Sequence, residues 1–195
     1  MSRIKMFAAS PRRALAALAT VLVAVGITGA SGANFTASSA NPSNTFTAGT
    51  LSMYNSKDNA AILTATNLRP GGPAATGTVE IQNTGSLSAP FTLSKGTVVN
   101  DDLTNPMDAQ LNLTVVDCGD FSSGTPVCGD SDDVDVYSGG TVAEMGTAGH
   151  LVSGLGSFAA DDQHRYEFSV ALDANADDDY QGDSSDVEFL WNATS

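Results

Sequence analysis

Short segments in which apolar and polar side chains alternate recur along this chain, and they constrain its fold more than any other feature. Residues 76–83, 110–117, 164–173 and 186–193 all have this period of two, which is typical of strands with one buried and one solvated face. The predicted core-facing residues are Val79, Ile81, Leu111, Leu113, Val115, Tyr166, Phe168, Val170, Leu172, Val187, Phe189 and Trp191. The alternation therefore predicts a protein built mainly from antiparallel strands.

Turn-forming residues separate these segments. Residues 69–75, 83–86, 105–108 and 137–140 supply glycine, proline and asparagine, the residues that allow a chain to reverse. The only segment with a helical pattern is short, residues 139–146. We therefore expect an all-β fold, a single antiparallel β-sandwich with jelly-roll-like connections and one short helix.

The first 33 residues resemble an export signal. An uncharged apolar stretch, residues 14–27, precedes the small residues Ser31, Gly32 and Ala33 and follows a basic head of Arg3, Lys5, Arg12 and Arg13. The sequence thus predicts a signal peptide over residues 1–33, cleavage between Ala33 and Asn34, and one domain over residues 34–195. An uncleaved anchor is the alternative, although the stretch is shorter than the ~20 residues that span a bilayer.

The charge balance excludes one class of partner. All 22 acidic residues lie after Ala33, together with only four basic residues, so the processed chain has a net charge of −18. Polyphosphates are bound by lysine and arginine, which displace counterions, so nucleic acid is not an expected partner. Contact with a membrane is expected only before the leader is removed.

Cys118 and Cys128 are the only cysteines. In an exported protein, two cysteines this close predict a structural disulfide, worth about 3 kcal/mol in the chain-entropy description. With no histidine beside them they are poor metal ligands.

The sequence contains no recognisable catalytic motif. His150 and His164 are the only histidines and do not form an H-E-x-x-H pattern, so we predict no catalytic residue and no metal site. Residues 173–184 resemble a calcium loop in part, but the required glycine and the final glutamate are missing. No cofactor is expected, with calcium as the alternative, bound by Asp173, Asn175, Asp177 and Asp179.

The beginning of the processed chain has few apolar side chains, apart from Phe35 and Phe46. Such a segment is a poor strand alone, but an extended peptide can pair with an exposed sheet edge. We therefore interpret it as a strand that pairs with another copy of the same protein.

Five stretches in order along the chain resemble the TasA/camelysin family, whose members are secreted through a SipW-type signal peptidase. They are "ANFTASS" after the leader, "NTFTAGTLSM", "LRPGGPAATGTVEIQNTGSLSAPFTL", "YSGGTVAEM" and the closing "HRYEFSVALDANADDDYQGDSSDVEFLWNA". Gly72 departs from the family pattern, which has an acidic residue after the P-G pair, and the cysteine loop is an optional feature.

The resemblance implies a secreted jelly-roll protein, found in the extracellular or cell-surface matrix, that assembles into fibres. Relatives use the processed N-terminal segment as a donor strand that completes the sheet of the next subunit. On this chain the donor would comprise Asn34, Phe35, Thr36, Ala37, Ser38, Ser39 and Ala40. The expected partners are other copies of the chain, a minor fibre-associated protein and, for processing, the SipW-type peptidase.

Two other functions remain open at this stage. Some camelysin-like proteins are described as metalloendopeptidases, so a secreted protease is one alternative, although two isolated histidines offer few ligands. A monomeric surface adhesin or carbohydrate-binding sandwich is the other, by analogy of fold alone.

Overall fold

The regions of alternating sequence form the strands of two antiparallel sheets. A computed structural model describes residues 48–194, which contain eight strands and two 3₁₀ helices. The strands are β1 Met53–Asn55, β2 Ala75–Asn83, β3 Ala89–Asn100, β4 Leu111–Asp120, β5 Val134–Thr141, β6 Ser157–Phe158, β7 Gln163–Leu172 and β8 Ser185–Ala193. The 3₁₀ helices are Met107–Ala109 and Asp178–Tyr180.

The strands are divided unequally between the two sheets. One sheet has the order β1-β2-β7-β4-β5 and the other the order β6-β3-β8. The chain crosses between the sheets after β2, β3, β5, β6 and β7, so most neighbours in sequence lie in opposite layers. This confirms the predicted all-β, sandwich-like fold.

The core forms between the layers from the predicted alternating rows. On β2 and β7, Val79, Ile81, Tyr166 and Phe168 are at most 1% exposed. The two rows face the core together because Val79 is paired with Tyr166 and Gly77 with Phe168. The rows predicted for these strands and for β4 are confirmed.

The helix predicted over residues 139–146 does not form. Residues 139–141 end β5, where Gly140 pairs with Leu113 and Thr141 with Asn112 of β4. Residues 142–146 form a hydrogen-bonded turn. Gly146 has a φ of 85°, a left-handed conformation that ends a helical turn, and the Nζ of Lys95 donates to the carbonyls of Val142 and Ala143 at 2.8 and 2.6 Å.

The predicted disulfide is present. Cys118, near the end of β4, is bonded to Cys128 in the connection to β5, and their Cα atoms are 4.9 Å apart. The bond closes a polar loop at one end of the larger sheet.

Several predictions concern residues outside the described part of the chain. They are the leader over residues 1–33, the cleavage position at Ala33 and Asn34, and the donor segment of residues 34–40. Within residues 48–194, no helix is long and apolar enough to cross a membrane.

Asn83 joins the two layers at the end of β2. It is fully buried, and its Nδ2 donates to the carbonyls of Leu87, Phe158 and Ala159 at 2.8, 3.0 and 3.0 Å. Its Oδ1 accepts the N–H of Gly85 at 2.9 Å. One amide therefore holds the β2–β3 turn against β6.

We expect the substitution Asn83→Asp to lower the free energy of unfolding by about 3 kcal/mol at neutral pH, because it removes the buried donors and adds a buried charge. The measurement is urea unfolding followed by circular dichroism. The matched control is Asn192→Asp on the exposed face of β8, which should change stability by less than about 0.5 kcal/mol. Equal effects of both substitutions would contradict the anchoring role of Asn83.

Candidate strand-docking groove

Strand β8 has one open edge. Among residues 48–194 it pairs only with β3, from Phe91↔Ala193 to Asn100↔Ser185. At both ends of this ladder, even-numbered residues bond to β3 or its extension, since Ser184 O accepts from Asp101 N and Thr194 N donates to Pro90 O. Hydrogen-bonding directions alternate along a strand, so the N–H and C=O groups of the odd-numbered residues point to the open edge.

The core-facing side chains of β8 are less buried than those of β2, β4 and β7. Val187, Phe189, Trp191 and Ala193 are the core-facing residues of this strand, as the sequence predicts, but each is only half-buried. Phe189 packs on Phe168 with ring centroids 4.8 Å apart, and Trp191 packs on Tyr166 at 4.9 Å. One side of the row therefore touches the opposite sheet while another side is still accessible to solvent.

Residues 61–68, which we call the strap, form the wall opposite β8. Ile62, Leu63 and Leu68 are half-buried against the core. Within the described chain the strap makes no hydrogen bond through its backbone or its side chains. It crosses β2 closely at Gly77, where a Cβ would collide with the carbonyl oxygen of Ile62.

Two neighbouring cavities with shared lining residues lie between these walls, and together we call them the β8 groove. The first, of about 670 Å³, lies between the strap and residues 183–189, with Met107, Leu111 and Val170 at its base. The second, of about 880 Å³, lies between residues 53–62 and residues 187–191. Both include Ile62 and Phe189, so the groove follows most of the open edge of β8.

Carboxylates cluster at the Ser185 end of the groove. Asp183 and Asp186 line the first cavity, whereas no lysine or arginine does. Asp101 is adjacent, since its Oδ1 accepts the N–H of Ser184 at 2.8 Å, and this bond lowers the pKa of Asp101. Partial burial, followed by repulsion from Asp101, Asp102 and Asp179, raises the pKa of Asp183. This end of the groove is thus rich in negative charge.

The two histidines lie in separate ion pairs. His164 Nδ1 is 2.7 Å from Asp117 Oδ2, and His150 Nε2 is 3.6 Å from Glu144 Oε1. Among residues 48–194, no three His, Cys, Asp or Glu side chains form a group that could hold a metal ion. Residues 1–47 and Ser195 contain none of these four residue types, so the described part holds every such side chain of the chain.

The acidic loop between β7 and β8 uses its carboxylates locally. Asp173 Oδ1 accepts the N–H of Asn175 at 2.8 Å, and Asp177 Oδ1 accepts the N–H of Asp179 at 3.2 Å. These bonds are turn caps of the kind that aspartate commonly forms. Calcium binding by these four residues stays a prediction.

Sequence reasoning identified the apolar row of β8 but not the groove. The strap has no periodic pattern, and its position depends on the missing side chain of Gly77. The pairing of Asp117 with Tyr166, which brings Asp117 beside His164, depends on strand register. The available signal was the G-T-V sequence at the start of β2, where a glycine in a strand marks a close approach of another backbone.

Comparison with known proteins identifies the family. The sequence model described as Camelysin metallo-endopeptidase matches residues 12–121, which is more than half of the chain. The protein therefore belongs to the camelysin family, and the predicted TasA/camelysin relationship is confirmed. Among curated proteins, no sequence matches this chain.

The His164–Asp117 pair predicts a pH dependence of stability. The hydrogen bond that His164 Nδ1 donates to Asp117 Oδ2 is the largest of the influences that raise the pKa of His164. The stabilisation should therefore be complete below about pH 6.5, the ordinary pKa of histidine, and be lost as pH rises through the higher folded pKa. We expect urea unfolding between about pH 6 and 8.5 to show this loss, and imidazole NMR titration to assign it.

The substitution Asp117→Asn should remove most of this dependence, because the neutral amide no longer favours the imidazolium. The control His150→Gln alters the other ion pair and should leave the dependence in place. An unchanged pH profile in Asp117→Asn would show that the stabilisation has another origin.

Proposed function

We propose that this protein is a secreted structural subunit that assembles into extracellular matrix or surface fibres by strand donation. In each contact, residues 34–40 of one copy, which we call the arm, pair with the open edge of β8 in the next copy. The observation that supports this proposal best is the half-buried apolar row of β8 beside an open ladder. The proposal requires no catalytic residue and no cofactor.

A strand in the β8 groove would pair with the unpaired backbone groups of β8 and would cover its partly exposed apolar side chains. Its backbone would bond to the outward N–H and C=O groups of β8, and its alternate side chains would cover the accessible side of Phe189 and Trp191. Covering apolar surface is favourable by about 25 cal/mol per Å². The same strand would also lie beside the strap, which has no bonded partner in the described chain.

The length of the arm is close to the length of the groove. Seven extended residues span about 23 Å at about 3.3 Å per residue, and the groove runs from Asp183 to Trp191, which is nine residues, so the arm would fill most of its length. The arm has one large apolar side chain, Phe35, on the same face as Ala37 and Ser39. Its remaining residues are small and suit a narrow cleft.

Deleting residues 34–40 from the processed chain should abolish fibres and leave a folded monomer, because the acceptor groove remains but no copy can fill it. The measurement is electron microscopy combined with size-exclusion chromatography, with circular dichroism to verify the fold. Fibres of normal appearance from this variant would refute strand donation.

A second variant tests the pairing more finely. Phe35→Thr combined with Thr36→Phe keeps length, composition and charge but moves the aromatic ring to the other face of the strand. We expect assembly to slow by about tenfold. Deletion of residues 122–125 in the disulfide loop, outside the groove, is the control and should leave fibre formation intact.

The same chromatography separates the fibre former from a monomeric adhesin. A subunit with net charge −18 repels its copies, and this repulsion weakens in salt or when carboxylates are protonated. A fibre former should therefore shift to large species under those conditions. An adhesin should elute as a monomer throughout.

The family description supports a second candidate, a metalloendopeptidase. A metal-activated water normally requires about three protein ligands, and the His, Cys, Asp and Glu side chains of residues 48–194 form no preformed set. We expect casein to remain intact with pure protein, with and without zinc. Hydrolysis that a chelator abolishes would favour the protease instead.

A further inference from the structure

Resting on the proposed function, we propose that the acceptor groove recognises the free α-ammonium group of the arm. The arm enters with its first residue, Asn34, beside Asp183 and Asp101, and runs parallel to β8. The groove is therefore specific for the N-terminus of a processed chain and not for an internal segment of the same sequence.

The only charged group of the arm is its α-amino group. Residues 34–56 contain no lysine, arginine, aspartate or glutamate, and Lys57 is the first charged side chain of the processed protein. The α-amino group, with an ordinary pKa of about 7.7–8.0, is largely protonated at neutral pH. The arm is therefore an uncharged strand with a cation at its beginning.

At the Ser185 end of the groove, no lysine or arginine of the first cavity balances the negative charge of the carboxylates. Asp183 is half-buried at the cavity wall, and its Oδ2 is buried without a hydrogen-bond partner among the described residues. Asp101 and Asp186 lie beside it. Partial burial, and after it the like charge of neighbouring carboxylates, raises the pKa of Asp183. An ammonium group placed beside these carboxylates would offset their mutual repulsion.

The other end of the groove does not offer the same attraction. There the second cavity is lined by Lys57 and Asp58, which are adjacent and opposite in charge, and by Glu188, which also lines the first cavity. An arm placed in the reverse direction would bring its ammonium toward Lys57. Charge complementarity therefore favours one direction, with the N-terminus at Asp183 and the following residues along Val187, Phe189 and Trp191.

This arrangement gives leader cleavage a chemical role. Before cleavage, the nitrogen of Asn34 is an uncharged amide within the peptide bond to Ala33. Hydrolysis of that bond converts it to a primary amine, which takes up a proton. Cleavage thus creates the group that the groove recognises.

The test is competition for fibre growth of the processed wild-type chain. The probes are two synthetic peptides of residues 34–40 with amidated C-termini, one with a free amino group and one acetylated. We expect the free-amine peptide to inhibit growth about fivefold more strongly at about 0.05 M salt. The difference should shrink toward one at about 1 M salt, where charges are screened within about 3 Å.

Two variants locate the contact. Asp183→Asn should make the two peptides equally potent, whereas Asp132→Asn removes the same charge from the turn between Cys128 and β5, outside the groove, and should preserve the fivefold difference. Equal inhibition of the wild-type protein by both peptides, or no inhibition by either, would overturn the ammonium contact. Fibres from the chain without residues 34–40 would instead overturn strand donation itself.

Discussion

The structure depends on one constraint: along one edge of β8, the backbone N–H and C=O groups have no partner strand in the described chain. A strand within a sheet has neighbours on both sides, and its core-facing side chains become fully buried, as Val79 and Ile81 are on β2. Strand β8 has a neighbour on one side only in the described chain, so Phe189 and Trp191 pack against the opposite sheet and still meet solvent. Exposed edges of this kind favour pairing with another chain.

The position of β8 in the sandwich explains why a groove lies beside it. The smaller sheet has three strands and the larger one five, so the larger sheet extends beyond the smaller at this side. The strap partly covers the excess, but it does so without hydrogen bonds to the described residues. A single added strand beside β8 would give the two layers more equal widths.

Much of the fold could be predicted from the sequence because the apolar residues that alternate along each segment are the ones that face the core. The rows on β2, β4 and β7 are correct, and the cysteine pair is bonded as spacing indicated. The helix over residues 139–146 was wrong because residues 139–141 extend β5 by pairing with β4, and Gly146 in a left-handed conformation ends the turn that follows. The groove and the Asp117–His164 pair depend on strand register and on contacts between distant segments, which local patterns do not encode.

The shortage of cations has a consequence for any material made from this protein. Of the four basic residues after Ala33, Arg165 forms an ion pair with Glu80, and Lys95 is bound to backbone carbonyls. Most of the 22 carboxylates must therefore be neutralised by dissolved ions. A network of such subunits would behave as a polyelectrolyte gel, swelling with water in dilute solution and contracting in brine.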